Sequence, residues 1–284
     1  MTNTPETPLG SKPLAIITGA GGGMGRACAR RLANTHALVL TDFNQQRLST
    51  LADALREEDN AQIAATICGD IADQGIINQI CAAGGQDGSC KVLVHTAGLS
   101  PALAGWRQIM RANLVGTAKL LEGIKAVLTP GFVGIVLSST ARCFAPPPGK
   151  ALSELLAHPL TPDLLDSLEP HLGNDDETRA ANAYAWSKRW VHDTVMQLAS
   201  DWARSGARIA SISPGFILTG MTRIEVDQRP EMLDLLKATP LGRWGTVNDI
   251  ADTVEFLLSA KASFITGTDI VIDGGLSAHM LTTA

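Results

Sequence analysis

Several features are missing from this 284-residue sequence, and each absence narrows the field. No apolar run reaches the roughly 18 residues that a membrane span needs, so no membrane partner is expected. Residues 1–12 are polar, with Pro5 and Pro8, and lack the apolar stretch of a secretory signal. They read as a flexible tail. An excess of positive charge is also missing. Lys and Arg number 23 against 28 Asp and Glu, a net charge of −5, which argues against nucleic acid as the main partner. The five cysteines, Cys28, Cys68, Cys81, Cys90 and Cys143, form no CxxC pair. An odd, unpaired set fits a reducing, cytoplasmic setting. The six histidines are scattered, none beside a cysteine at ligand spacing, so no metal site is expected. Aromatic residues make up 4% of the chain, and among them is a single tyrosine, Tyr184.

What is present is a globular pattern, 45% hydrophobic and 18% charged. The length suits one large domain over residues 13–284. Short apolar runs at Leu14–Ile17, Ala37–Leu40, Gln62–Ile67, Val92–His95, Val133–Leu137, Arg208–Ile212 and Ile270–Ile272 read as strands. Helical stretches alternate with them at Met24–Ala33, Gln45–Glu58, Ile76–Ala83, Trp106–Leu128, Ala183–Arg204 and Val247–Leu258. Such alternation requires crossover connections, hence an α/β fold with a doubly wound parallel sheet between two helical layers, Rossmann-like in kind. In that architecture ligands bind beyond the carboxyl ends of the strands.

Residues 142–181 break the alternation. They hold six prolines and seven acidic residues against three basic ones. Leu152, Leu155 and Leu156 share one helical face, as do Leu164, Leu165, Leu168 and Leu172. An inserted helical hairpin is expected there. It is read as a substrate lid, an oligomer-blocking element or a decoration, with oligomer control and some pocket contact preferred.

The first strand runs into Thr18-Gly19-Ala20-Gly21-Gly22-Gly23-Met24-Gly25 and then a helix. Glycines allow a tight turn and close approach to a pyrophosphate, and the helix start offers unpaired N–H groups. A Walker A loop is excluded, since Arg26-Ala27 stands where Lys-Ser/Thr is required. Asp42 closes the second strand, 17 residues after Gly25. A carboxylate there would accept from ribose hydroxyls and repel a 2′-phosphate, so NAD is preferred over NADP. Asp70 and Ile71 follow the third strand; Asp70 is placed to accept from an adenine amino group. Ala97 and Gly98, after the fourth, would let the adenosine side lie against the backbone. Each of these is equally compatible with ordinary turn chemistry.

Tyr184 and Lys188 are one helical turn apart on one face. A nearby ammonium favours phenolate, which lets a tyrosine exchange protons near neutrality. Ser139 and Ser138 are rival hydrogen-bonders for a substrate oxygen. Asn113 is an unusual choice inside a helix. Either a local distortion that holds a water or a capping role would explain it.

In this order the motifs resemble those of the short-chain dehydrogenase/reductases. The resemblance runs from about Leu14 to the end, apart from the insertion, and extends through Pro214-Gly215-Phe216-Ile217-Leu218-Thr219 and Ile272-Asp273-Gly274-Gly275. It implies a catalytic set of Asn113, Ser139, Tyr184 and Lys188. It implies cofactor contacts from Gly19, Gly23, Met24, Gly25, Asp42, Asp70, Ile71, Ala97, Gly98, Tyr184, Lys188, Pro214, Gly215, Ile217 and Thr219. Two departures stand out. His95-Thr96-Ala97-Gly98 replaces the usual Asn-Asn-Ala-Gly, so the sheet-stabilising asparagine is absent. Ser139 and Tyr184 are 45 residues apart, and an insertion at this point is similar to bacterial 3α-hydroxysteroid dehydrogenase/carbonyl reductases. The three glycines also fit the pattern of the extended, epimerase-type relatives, but only 96 residues follow Lys188, which favours the compact branch. The implied activity is NAD-dependent interconversion of an apolar secondary alcohol and its ketone, steroid, aryl or alicyclic, in a homodimer or homotetramer. Residues 216–240 would hold a mobile substrate loop. A non-catalytic NAD sensor, and a redox-neutral dehydratase or epimerase on the same fold, are the alternatives.

Overall fold

The computed structural model describes residues 12–85, 88–144, 146–228 and 232–283. The tail expected over residues 1–12 lies outside these except for Lys12, whose ammonium donates to the Ala33 carbonyl at 2.9 Å. Lys12 is therefore tied down.

Seven strands form one parallel sheet: β1 Leu14–Thr18, β2 Ala37–Asp42, β3 Ile63–Cys68, β4 Cys90–His95, β5 Val133–Leu137, β6 Arg208–Pro214 and β7 Thr268–Ile272. Their order is β3-β2-β1-β4-β5-β6-β7. The order reverses between β1 and β4, so the crevice for a ligand opens there. β2 and β5 are buried along their whole length, as central strands with both faces covered must be. Edge strand β3 alternates, as its Ile-Ala-Ala-Thr pattern allows.

On one face lie α1 Gly23–Leu32, α2 Gln45–Glu58 and α11 Val247–Leu258. Ile17, Leu40, Leu48, Leu55, Val254 and Leu257 close the core between them and the sheet. On the other lie α3 Gln74–Ala83, α5 Thr117–Ile124 and α8 Asp176–Arg204. Their core includes Ile16, Ile80, Leu120, Phe132, Val195 and Trp202. α8 begins two turns before Tyr184, earlier than its apolar periodicity starts, because the acidic first turn is capped: the Asp175 side chain accepts from Thr178 N.

The helix expected over Trp106–Leu128 is a composite. α4 Trp106–Met110 passes into a π-helical segment, Arg111–Gly116, then α5, then a 3-10 turn at Lys125–Val127. The insertion holds α6 Lys150–Ala157 and α7 Leu164–Leu172. Leu152, Leu156, Leu164, Leu168 and Leu172 are buried in a third core with Trp106, Ile109, Leu114, Ala183 and Trp186. Residues 216–240, expected as loop, carry α9 Gly220–Gln228 and α10 Met232–Ala238. A last helix, α12 Leu276–Thr283, follows the Gly274-Gly275 turn. Among the described residues no helix is long and apolar enough to cross a membrane, and no group of three or more His, Cys, Asp or Glu is gathered to hold a metal.

Candidate active site

The glycine turn is built for close backbone approach. Gly19 has φ +66°, and a Cβ there would lie 2.6 Å from Ala97 N. A Cβ on Gly25 would sit 2.2 Å from the Gly19 carbonyl oxygen. Neither position tolerates a side chain. Gly22, the N-cap of α1, supplies no side-chain cap, so the N–H groups of the first turn are left for an anionic ligand. Gly23 packs on Thr219, where a Cβ would be 3.0 Å from Thr219 Cγ2. That contact joins the glycine turn to the segment after β6.

Asp42 is 7% exposed at the end of β2. Its carboxylate accepts from Gly21 N and Asn44 N, each at 2.9 Å. Both bonds aim it beside the glycine turn, and Arg47 on α2 is exposed to solvent. Asp70 accepts from Ala72 N at 2.8 Å and pairs with Arg111 Nε at 3.0 Å. Ile71 is buried in the sheet core, so it offers a ligand its backbone rather than its side chain.

His95 occupies the place of the missing asparagine. Its Nδ1 lies 2.6 Å from Thr18 Oγ1 and its Nε2 2.8 Å from Thr117 Oγ1. It bridges β1, β4 and α5, so the histidine takes over the sheet-stitching task. Full burial, and then the Lys188 charge, push its pKa down to about 3, so it is neutral. Thr96 Oγ1 adds a bond to the Thr18 carbonyl at 2.8 Å.

Asn113 sits in the π-helical segment, buried behind Gly98. Its amide clasps Leu99, with Oδ1 accepting from Leu99 N at 2.8 Å and Nδ2 donating to Leu99 O at 2.9 Å, and Nδ2 also reaches Ser187 Oγ at 3.4 Å. This pair of hydrogen bonds explains an asparagine in a helix interior, within the π-helical segment.

The two serines both line the cleft but differ in their bonding. Ser138 Oγ donates to the Lys188 carbonyl at 2.7 Å and ties β5 to α8. Ser139 follows, its Oγ accepting from Ala141 N at 3.2 Å in the turn Thr140–Cys143. Ser139 and the half-buried Tyr184 line the same cleft, with Lys188. Lys188 is buried; its Nζ donates to Leu137 O at 2.9 Å and lies 5.9 Å from the centre of the Tyr184 ring. Desolvation lowers its pKa to about 8.

The cleft has a volume of about 550 Å³. It brings together Met24, Gly98, Ser139, Tyr184, Lys188, Pro214, Gly215, Ile217 and Thr219. Thr140 Oγ1 holds the Pro214 carbonyl at 3.2 Å, which locks the serine turn to the β6 end. Gly19, Gly23, Gly25, Asp42, Asp70 and Ala97 run along the β1–β4 strand ends beside it. A glycine turn at an uncapped helix start, a buried carboxylate at the β2 end and a roomy cleft beyond fit a nicotinamide dinucleotide. Sequence reasoning missed Asn182, Leu276 and Met280, which also line the cleft. Leu276 and Met280 come from α12, whose one signal was an apolar pair at spacing four.

Known proteins match this arrangement. The family described as short chain dehydrogenase matches residues 13–142, and that described as enoyl-(acyl carrier protein) reductase matches residues 172–277. The stretch between these matches holds α6 and all but the last residue of α7. The short-chain dehydrogenase/reductase bsc3 of Alternaria brassicicola is 30% identical over 277 residues, covering 95% of this chain and 97% of that protein. Galactitol 2-dehydrogenase (L-tagatose-forming) of Cereibacter sphaeroides is 29% identical over 270 residues, 92% of this chain and 93% of its own. The structure of the 3-alpha-hydroxysteroid dehydrogenase from Pseudomonas sp. B-0831, complexed with NADH, aligns with a TM-score of 0.72 at 25% identity, over 95% of this chain and 99% of that one. The chain belongs to the short-chain dehydrogenase/reductase family. It is an oxidoreductase of the kind that acts on alcohol or ketone groups, and the family binds nicotinamide cofactors.

Proposed function

We propose that the protein interconverts a hydrophobic secondary alcohol, steroid, aryl or alicyclic, and its ketone, with NAD in preference to NADP. The observation that carries this reading is the cleft itself, where Ser139, Tyr184 and Lys188 meet beneath a wall of Leu99, Pro101, Phe144, Met221 and Met280. In oxidation, the Tyr184 phenolate takes the proton of the substrate hydroxyl. Ser139 Oγ hydrogen-bonds the oxygen on which charge changes. Lys188, held on Leu137 O, favours the phenolate through its charge. Asn113 keeps Gly98 and Leu99 pressed against the site. Bound nicotinamide supplies the hydride acceptor, or the donor in reduction. The residues that would hold the cofactor are the glycine turn, Asp42, Asp70, the Ile71 backbone, Ala97, Gly98, Lys188 and Pro214 to Thr219.

NAD preference rests on Asp42, a buried carboxylate fixed by two backbone donors. A polyol is the second reading, favoured by the similarity to a galactitol dehydrogenase. The test is initial rates with NAD and NADP in parallel, over steroid, aryl and alicyclic alcohols and galactitol. Turnover of the apolar alcohols with NAD is expected, and Tyr184→Phe should lower kcat by about 10²–10⁴-fold. Turnover confined to galactitol would overturn the apolar assignment; a fully active Tyr184→Phe protein would remove the acid–base role.

We also propose a cytoplasmic setting, supported by five free cysteines, and a homodimer or homotetramer. Phe264 is fully exposed and Val271, on edge strand β7, is 43% exposed. An uncovered strand edge beside exposed apolar side chains suits a second copy.

A further inference from the structure

The hairpin grips the catalytic helix on either side of Tyr184. Asn182 Nδ2 donates to the Leu172 carbonyl at 2.8 Å, and Trp186 Nε1 donates to the Pro146 carbonyl at 3.1 Å. Arg179 Nε adds a bond to Gly173 O at 3.0 Å. Leu172 ends α7, so its carbonyl is one of those a helix leaves without an internal partner. Asn182 and Trp186 are four residues apart and share a helix face. Each is two residues from Tyr184, about 200° around the helix. Trp186 is thus turned away from the face that Tyr184 and Lys188 share, while Asn182 reaches the hairpin from the wall of the cleft.

The packing follows the same division. Leu168 and Leu172 of the hairpin and Ala183 of α8 are 0% exposed in one core, with Trp186 beside them. Further along α8, Lys188 is registered by the sheet, through Ser138 Oγ to its carbonyl and its Nζ to Leu137 O. The turn that carries Tyr184 is held on either side by hairpin carbonyls.

We propose that the inserted hairpin is a brace that positions Tyr184 for proton transfer, acting through Asn182 and Trp186 as positioning residues. The inference rests on the acid–base reading above. Without the brace, the α8 turn shifts against Ser139 and Lys188, and the phenolate loses part of the hydrogen bonding and charge that favour it.

Tyr184 is the only tyrosine in the chain. The near-ultraviolet change on phenol ionisation therefore reports on it alone, in the full-length protein without added substrate or cofactor. The comparison is wild type against Asn182→Leu, Trp186→Phe and Lys188→Met. Trp186→Phe keeps an aromatic ring in the core while removing the N–H donor and part of the ring volume, so it is the variant expected to fold if Asn182→Leu does not. The wild-type midpoint should lie below the ordinary phenol value of about 10, and Asn182→Leu and Trp186→Phe should each raise it by about 0.5–1 unit. With an alcohol that turns over, Trp186→Phe should lower kcat about 3–10-fold with KM within about twofold, the mark of a group acting on the transition state. Midpoints equal to wild type in both brace variants, while Lys188→Met moves the midpoint, would overturn the brace alone. A wild-type phenol at its ordinary value that ignores Lys188→Met would overturn the acid–base reading and the brace together.

Discussion

His95 shows how one side chain can replace another of different chemistry. A neutral imidazole has two ring nitrogens at fixed divergence, one a donor and one an acceptor. Thr18 and Thr117 hydroxyls, each able to donate or accept, complete the pair. The cost falls in acid. The folded pKa is about 3 against an ordinary 6.5, so between these values the unfolded chain binds the extra proton. Stability contributed by His95 is full above the ordinary value and is lost as pH falls through that window. Urea unfolding at neutral pH and near pH 4.5 should show a smaller loss for His95→Asn than for wild type; equal losses would remove His95 as the acid-sensitive group. Asp42 supports a second prediction at this scale. Asp42→Ala should lower the NAD-over-NADP ratio of kcat/KM by about tenfold or more, since a hydrogen bond to a charged group contributes about 1.5–3 kcal/mol. Parallel rates with the two cofactors measure it.

At the scale of elements, the π-helical segment and the hairpin matter most. The helix between β4 and β5 trades regular bonding for the Asn113 clasp on Leu99. The hairpin supplies five buried leucines to the core behind α8. Leu168→Ala should cost about 2–5 kcal/mol in chemical denaturation, the range for emptying a fully buried leucine site. A cost under about 1 kcal/mol would mean that the hairpin packs loosely.

At the scale of the whole molecule, the parallel sheet gathers residues far apart in sequence onto one edge. Met24 after β1, Gly98 after β4, Ser139 after β5 and Pro214 at the end of β6 meet because each follows a strand that points the same way. The opposite prospect is β7, whose outer edge is open. Phe264→Asp should lower the molar mass seen in light scattering if this edge joins two copies; an unchanged mass would place the contact elsewhere.

Much of this arrangement was legible in the chain itself. Apolar runs alternating with helical periods sufficed for the sheet and its flanking layers, because burial on both faces writes itself into continuous apolar strands. Gly19, Asp42, Tyr184 and Lys188 were readable because their chemistry depends on local spacing. The leucine faces of the hairpin were readable for the same reason. Three-dimensional contact decided the rest. It engaged the Ser138 hydroxyl on Lys188 O, gave His95 its two threonines, brought α12 to the pocket wall and set the hairpin against the turn of Tyr184. These outcomes depend on which atoms meet across separations from 10 residues, Asn182 to Leu172, to 77, Thr18 to His95, and periodicity carries no information about which atoms will meet.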